Sequence, residues 1–402
     1  MVASILAVTV TLIGWALLSA KLDAWRISPA VVVVAAGALV GLTTRESIAT
    51  TLNTEVAMHT AEIVLAVLLF VDATEVRGGL LGRHPAAAVR VVLIALPISL
   101  AAAVGFGMWV LPGYGWAVWL VVACVVMPID FASATAILRD RRLPTRVRDI
   151  LNVESGYNDG VVSPVIVFAL ILAGDLSQQK TPGQALATAV PAALIALGVG
   201  VAVGAVLATL FNRADHAALM NAQAKRMLLV AAPLLTYALS TALGGNGFVA
   251  AFVCGLAIHR LRRPDQRHRE LELIDDVGFL LTVVMWFTFG AVAVYTLGEV
   301  GDWRLWLFCG AALTVLRIVP VLLALTGSGL TWVEDLLIGL LGPRGTTSIV
   351  FGLLAFNKLH DSGADLALTA MVLTVAGSVV LHGLGSSLTA RVYQRRKRSA
   401  PR

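Results

Sequence analysis

From its first residue the chain alternates long apolar runs with short polar punctuation, and the runs have the length of membrane helices. Crossing a hydrocarbon core about 30 Å thick takes about 20 apolar residues. The pattern predicts thirteen spans, at about 2–20, 27–42, 56–74, 88–111, 114–138, 150–173, 185–211, 226–243, 246–259, 277–297, 304–325, 332–356 and 365–388. Connections are short, the longest being the polar runs near 212–226 and 260–276. The chain therefore reads as one transmembrane unit over 1–390, followed by a short basic tail, 391–402, with no loop long enough for a soluble domain. A cleavable signal peptide would carry positive charge ahead of its apolar run. Here Lys21 and Arg26 follow the first run instead, which predicts a first span with its N-terminus outside.

Composition agrees. Apolar and aromatic residues (AVILMFWYC) make up 58% of the chain and charged residues only 13%, against about 25% charged in soluble domains. A surface so poor in charge excludes a soluble or disordered protein. Cys124, Cys254 and Cys309 lie inside apolar runs, where free cysteine behaves as a small hydrophobe. The positive-inside rule tests the span count. With the N-terminus outside and every span reversing the side, 24 of the 30 Lys and Arg fall on the cytoplasmic face, 4 outside, and Arg317 and Arg344 within spans. The net charge of +6 thus reflects topology and calls for no nucleic-acid partner.

Thirteen spans divide into six, a connector and six, as in transporters built from inverted repeats. The fifth member of each half is interrupted. Span 5 reads V-V-M-P-I-D-F-A-S-A, with Pro128 just before Asp130; span 12 reads L-L-G-P-R-G-T-T-S, with Gly342, Pro343 and Gly345 around Arg344. Unwound backbone at membrane depth is tolerated only where it lines a cavity or is packed in protein, and a matched pair of such spans points to a midplane site.

Ionisable groups inside the membrane are costly and mark function by default. Asp130, Glu154, Asp159, Arg317 and Arg344 lie within spans, and Asp72 and Glu75 stand at the cytoplasmic end of span 3. Span 6 begins N-V-E-S-G-Y-N-D-G. Glu154 and Asn158 are four apart, as are Ser155 and Asp159, so they crowd one side of a helix. Two carboxylates, a hydroxyl and an amide oxygen form a hard ligand set, suited to a hard cation. With Arg344 or Arg317 nearby, one carboxylate is paired and the other is left to bind either a proton or a metal cation, which is antiporter chemistry; the competing reading is a packing salt bridge at the head of a helix. The seven histidines are scattered with no H-E-x-x-H, and no Walker A lysine motif occurs, so neither a metalloenzyme nor an ATP-driven pump is supported.

L-N-V-E-S-G-Y-N-D-G, G-N-G-F-V-A-A-F-V-C-G, D-D-V-G-F-L-L-T and L-L-G-P-R-G-T-T-S-I-V-F-G, in that order, resemble the electroneutral branch of the monovalent cation/proton antiporters, the bacterial NhaP-like sodium(potassium)/proton exchangers. The resemblance runs from span 3 to span 13. It implies an all-α fold of thirteen transmembrane helices with inverted six-helix repeats and crossing unwound helices 5 and 12. It further implies a core that moves against a dimerisation domain in a homodimer of the cytoplasmic membrane, with no cofactor and no enzymatic activity. Core helices would fall at about 56–173 and 277–388 and interface helices at about 2–42 and 185–259. By motif, Asp159 is the shared ligand of Na+ (or K+) and H+, Ser155 an oxygen ligand, and Asn158 a residue that steadies the site. Glu154 is held by Arg344 of the G-P-R-G segment, and Arg317, in L-R-I-V-P-V, matches a second family arginine. Asn158 before Asp159, where electrogenic relatives carry two aspartates, implies one-for-one electroneutral exchange.

One departure bears on selectivity. The family reads Thr-Asp and then Pro or a small residue in span 5, whereas this chain has Ile129-Asp130-Phe131. Ile129 removes a hydroxyl, leaving its backbone carbonyl as the ligand there, and Phe131 adds volume. A transport-impaired relative acting as a sensor or partner protein is the competing class. Asp72, preceded by Val71 where many relatives carry an acid after Phe, is a second-tier pathway residue.

Overall fold

The computed structural model describes the backbone of the chain apart from residues 1, 25–27, 53, 77–80, 132–133, 135, 175–180, 263–266, 299–300 and 400–402; side chains at 2–5, 23–24, 44–52, 267–268, 361 and 384–399 are also outside the description. Arg26, Arg77, Lys180 and Arg263, and the side chains of Arg45, Arg267 and the basic tail, all used in the charge partition, lie outside the described residues.

The described residues form helices, and these group into the thirteen expected passages. The first three are α1 (Val2–Ala24), α2 (Pro29–Leu52) and α3 (Glu55–Glu75). The fourth joins α4 (Pro85–Arg90), a π-helical turn (Val91–Ala95) and α5 (Leu96–Val110). Pro97 has no N–H to give to the preceding turn, and the ladder widens there, the Leu96 N–H reaching the Val91 carbonyl. The fifth passage holds α6 (Trp116–Val126) and α7 (Ala136–Arg139), with 127–130 between them outside any helix. Long helices follow: α8 (Thr145–Ala173), α9 (Pro182–His216), α10 (Ala222–Ala242), α11 (Gly247–Leu261) and α12 (Arg267–Leu297). The eleventh passage is divided at Thr314 into α13 (Trp303–Leu313) and α14 (Val315–Leu325). The twelfth is α15 (Trp332–Leu340), an extended break, and α16 (Thr346–Lys358). α17 (Asp361–Ser399) carries the final passage and continues through most of the basic tail.

Local chemistry fixes many helix starts. Thr181 and Thr331 form capping boxes with Gln184 and Glu334, and Asn221, Asn246 and Asp302 accept N–H groups at the heads of α10, α11 and α13. Joined across their internal breaks, seven passages have described helices long and apolar enough to cross a bilayer. α6 and the described part of α2 are shorter apolar helices.

The main apolar core gathers around α6, α16 and α17, with Trp119, Phe308 and Phe351 fully buried. Cys124, Cys254 and Cys309 are free and buried in apolar surroundings. α11 packs on α9 and α3, and α12 packs on α2, while α6, α8, α13, α14 and α17 pack among themselves. α3 and α12 touch both groups, α3 through α8 and α16 and α12 through α16 and α17. α8 joins the two groups as well, through α9 and α11.

Candidate ion site at the crossing of the broken spans

The break in span 5 follows from Pro128, which cannot continue the ladder of α6; that in span 12 follows from Gly342, Pro343 and Gly345. The segments freed by these residues cross, and the Asp130 N–H donates to the Pro343 carbonyl at 2.9 Å. Broken helices leave unpartnered N–H groups at starts and carbonyls at ends, with partial positive and negative charge respectively. Each segment carries the countercharge that the other span's ends require. Asp130 Oδ2 accepts the N–H groups of Thr346 (2.5 Å) and Thr347 (3.4 Å) at the start of α16. Arg344 donates to the carbonyl of Val126, the last residue of α6, at 2.6 Å, and to those of Gly342 at 2.6 Å and Ala312 at 3.2 Å. A Cβ at position 345 would lie 2.6 Å from Asp130 Oδ2, so the close approach of the carboxylate requires glycine. His382, buried at the same crossing, contacts the Leu340 carbonyl at 3.1 Å and Ser378 Oγ at 3.1 Å; it is a satisfied core histidine.

α8 runs past this crossing and presents Glu154, Asn158 and Asp159, all buried, with Ser155 half-buried beside them. The expected pairing of Glu154 with Arg344 is corrected here. Glu154 is held by Arg317 of α14, whose Nη1 and Nη2 donate to its two carboxylate oxygens at 2.6 and 3.1 Å. The reason is geometric. Arg344 lies within the break and turns its guanidinium to the carbonyls of broken helix ends, whereas Arg317 presents its planar fork to the carboxylate face on, the strongest arrangement for such a pair. Arg317 also donates to the Ile338 carbonyl at 3.1 Å, tying α8 to both α14 and α15.

Asn158 Nδ2 donates to the Ile129 carbonyl at 2.7 Å. This bond fastens α8 to the crossing and leaves the carbonyl a second lone pair. Asp159 Oδ2 accepts the Thr347 hydroxyl at 2.5 Å. Asp159 Oδ1 and Asn158 Oδ1 are buried and, among the described residues, have no hydrogen-bond partner. Two acceptor oxygens left unsatisfied in a site lacking bulk water are costly unless a proton or a cation meets them. Sequence reasoning did not single out Thr347 or Thr346. The only signal was the run of hydroxyls directly after the Gly-Pro-Arg-Gly break.

A cavity of about 500 Å³ adjoins the crossing. Asp130, Ser155, Thr346 and Thr347 line it, as do Glu75 and Arg139, the last residues of α3 and α7, and Asp275 in the N-terminal part of α12. Asp72 and Phe131 also line it. Among the described residues, no three His, Cys, Asp or Glu side chains converge as a transition-metal site requires.

Two interrupted spans crossing with exchanged countercharges, beside a buried carboxylate and a cavity, define a multi-pass membrane protein with a broken-helix midplane site. The chain belongs to the family of transmembrane sodium/hydrogen exchangers, whose profile it matches over residues 7–392. It is 26% identical over 311 residues to the K(+)/H(+) antiporter NhaP of Alkalimonas amylolytica, covering 75% of this chain and 51% of that protein. It is 23% identical over 325 residues to a Na(+)/H(+) antiporter of Saccharomyces cerevisiae, covering 77% of this chain and 33% of the yeast protein. The chain thus spans between a third and about half the length of these relatives. Its fold is similar to that of the sodium proton antiporter MjNhaP1 from Methanocaldococcus jannaschii at pH 8, with a TM-score of 0.80 at 20% identity over 98% of this chain and 99% of that one.

Proposed function

We propose that this protein is a secondary antiporter that exchanges Na+ or K+ for H+ by alternating access, with proton and cation competing for Asp159. The observation that carries the reading is the state of that carboxylate: buried where the broken spans cross, with Oδ1 unpartnered and unsatisfied Asn158 Oδ1 on the adjacent residue. Ser155 and Asp130, both in the cavity lining, complete the oxygen environment. Relatives named for Na+ and for K+ exchange support either cation, and oxygen ligands of this kind serve both.

Glu154 is neutralised by Arg317 and the crossing by Asp130 and Arg344, and with Asp72 serving the pathway and not the site, Asp159 is the carboxylate that cycles. One cation out for one proton in moves no net charge, so the exchange is electroneutral. The protein is a transporter that needs no cofactor and performs no enzymatic reaction. It works as a homodimer in the lipid of the cytoplasmic membrane, with its N-terminus outside and its C-terminus inside, as the distribution of Lys and Arg requires. The cavity then faces the cytoplasm, because Glu75, Arg139 and Asp275 lie at cytoplasmic helix ends in that topology. The core and interface groups read from the sequence move against each other along α3, α8 and α12, which touch both.

Ile129 and Phe131 favour a second reading, a transport-impaired relative that senses ions. Dequenching of a pH dye in everted vesicles on adding sodium or potassium separates the two. Dequenching by either salt is the expected result, and a well-expressed protein silent with both would leave the sensor.

A further inference from the structure

We propose that Thr347 is a further cation-binding residue of the exchange site, its hydroxyl joining the cavity wall to Asp159 and giving an oxygen to the cation that Asp159 binds. The proposal rests on the antiporter reading above and extends it to a residue outside the expected ligand set.

Thr347 is part of the cavity lining and Asp159 and Asn158 are not, although all three are buried, at 3%, 2% and 1% exposed. The Thr347 hydroxyl donates to Asp159 Oδ2 at 2.5 Å. The hydroxyl is thus a polar group that belongs to the cavity lining and touches the carboxylate at once. A threonine hydroxyl has one proton and two lone pairs. With the proton committed to the carboxylate, the lone pairs are what remain for a partner, and these are what a cation takes. Donation to a carboxylate also polarises the hydroxyl oxygen and strengthens it as an acceptor.

The position of this hydroxyl is set by the crossing itself. The Thr347 N–H lies 3.4 Å from Asp130 Oδ2 and that of Thr346 lies 2.5 Å away, so Asp130 pins the first turn of α16 while the Thr347 side chain reaches Asp159. The opposite segment offers no side-chain oxygen at Ile129, and its carbonyl there is engaged by Asn158. The neighbouring Thr346 hydroxyl is buried without a hydrogen-bond partner among the described residues and anchors neither carboxylate.

The test uses the full chain in everted vesicles with sodium and potassium as separate substrates. Thr347→Val keeps the shape and removes the oxygen. It is expected to raise KM for the transported cation roughly ten- to a hundred-fold, the worth of one hydrogen bond or ligand contact to a charged group, while Vmax at saturating salt is retained. Thr347→Ser restores the hydroxyl and is expected to restore KM. If the valine variant is too unstable to assay, Thr347→Ala carries the same expectation. A residue with only a packing role would lower Vmax and thermal stability and leave KM alone. A wild-type KM in the hydroxyl-free variant, or a serine variant as impaired as it, overturns the proposal. Asp159→Asn, run alongside, keeps the two levels apart: exchange lost in Asp159→Asn with KM unmoved in Thr347→Val removes only the role of Thr347. Wild-type exchange in Asp159→Asn removes the site assignment beneath it.

Discussion

Arg317→Ala strips Glu154 of two charge-assisted hydrogen bonds, at 2.6 and 3.1 Å, in a place where the two side chains are only 5% and 3% exposed. Removing one partner of a buried pair costs about 3–5 kcal/mol, because the remaining charge has neither water nor a countercharge. The same guanidinium satisfies the Ile338 carbonyl at 3.1 Å, and orphaning that group adds about 1–3 kcal/mol. The expected loss is therefore about 4–8 kcal/mol. At roughly 1 °C or more per kcal/mol for a long chain, the melting temperature should fall by at least about 4 °C. The assay is thermal unfolding in detergent, followed by intrinsic fluorescence at one fixed scan rate, since unfolding of such proteins is commonly irreversible. Replacing the pair together, Glu154→Met with Arg317→Met, removes both buried charges and should recover all but the carbonyl contribution of about 1–3 kcal/mol. An Arg317→Ala protein that melts with the wild type, or a double variant no better than the worse single one, would refute the argument that this pair is a structural lock.

Two further outcomes follow from the crossing. Gly345→Ala places a methyl group 2.6 Å from Asp130 Oδ2 and must displace that carboxylate from the head of α16; initial exchange rates in vesicles should drop at least about ten-fold, as expected for losing one charged hydrogen bond. Gly183→Ala, where an added methyl meets nothing within 4 Å, should leave the rate unchanged, and equal rates in the two variants would remove Asp130 from the account. Electroneutrality predicts that sodium–proton exchange in proteoliposomes ignores a valinomycin-clamped potassium diffusion potential, although such a potential is worth about 2.3 kcal/mol per charge per 100 mV. A rate that rises several-fold with the potential means that Asp130 or Glu154 also titrates in the cycle.

Much of the fold was legible because membrane helices write their length directly into the sequence. The breaks were legible too, since Pro128 and the Gly342-Pro343-Gly345 cluster stand beside charged residues, whereas Pro164, Pro191, Pro233 and Pro320 lie inside continuous helices. Less regular features carry weaker marks. The π turn before Pro97 and the division at Thr314 depend on how one turn meets its neighbours, and neither shows in hydropathy. Within the site, Glu154, Asn158 and Asp159 stood out by charge and by spacing on one helix. Their partners did not, because these contacts join distant parts of the chain. Arg317 lies 163 residues from Glu154, and Thr347 lies 188 residues from Asp159. Both buried arginines were visible, but which one meets Glu154 is decided by the lie of α14 and by the demand of broken helix ends for Arg344. Thr347 was hidden for a simpler reason: a threonine in a membrane helix more often bonds its own backbone, as Thr236, Thr288 and Thr296 do here.

The central claim is that a proton and a cation compete for one carboxylate, and proton release on cation binding measures this most directly. Purified protein in weakly buffered detergent solution, near the pH of half-maximal exchange, is mixed with sodium or potassium chloride while a pH dye records released protons. Choline chloride serves as the ionic-strength control. Competition at Asp159 predicts a saturable release that follows cation occupancy, is absent with choline, and disappears in an Asp159→Asn protein that melts like the wild type. Cation binding without proton release, or a release that survives unchanged in Asp159→Asn, would contradict it.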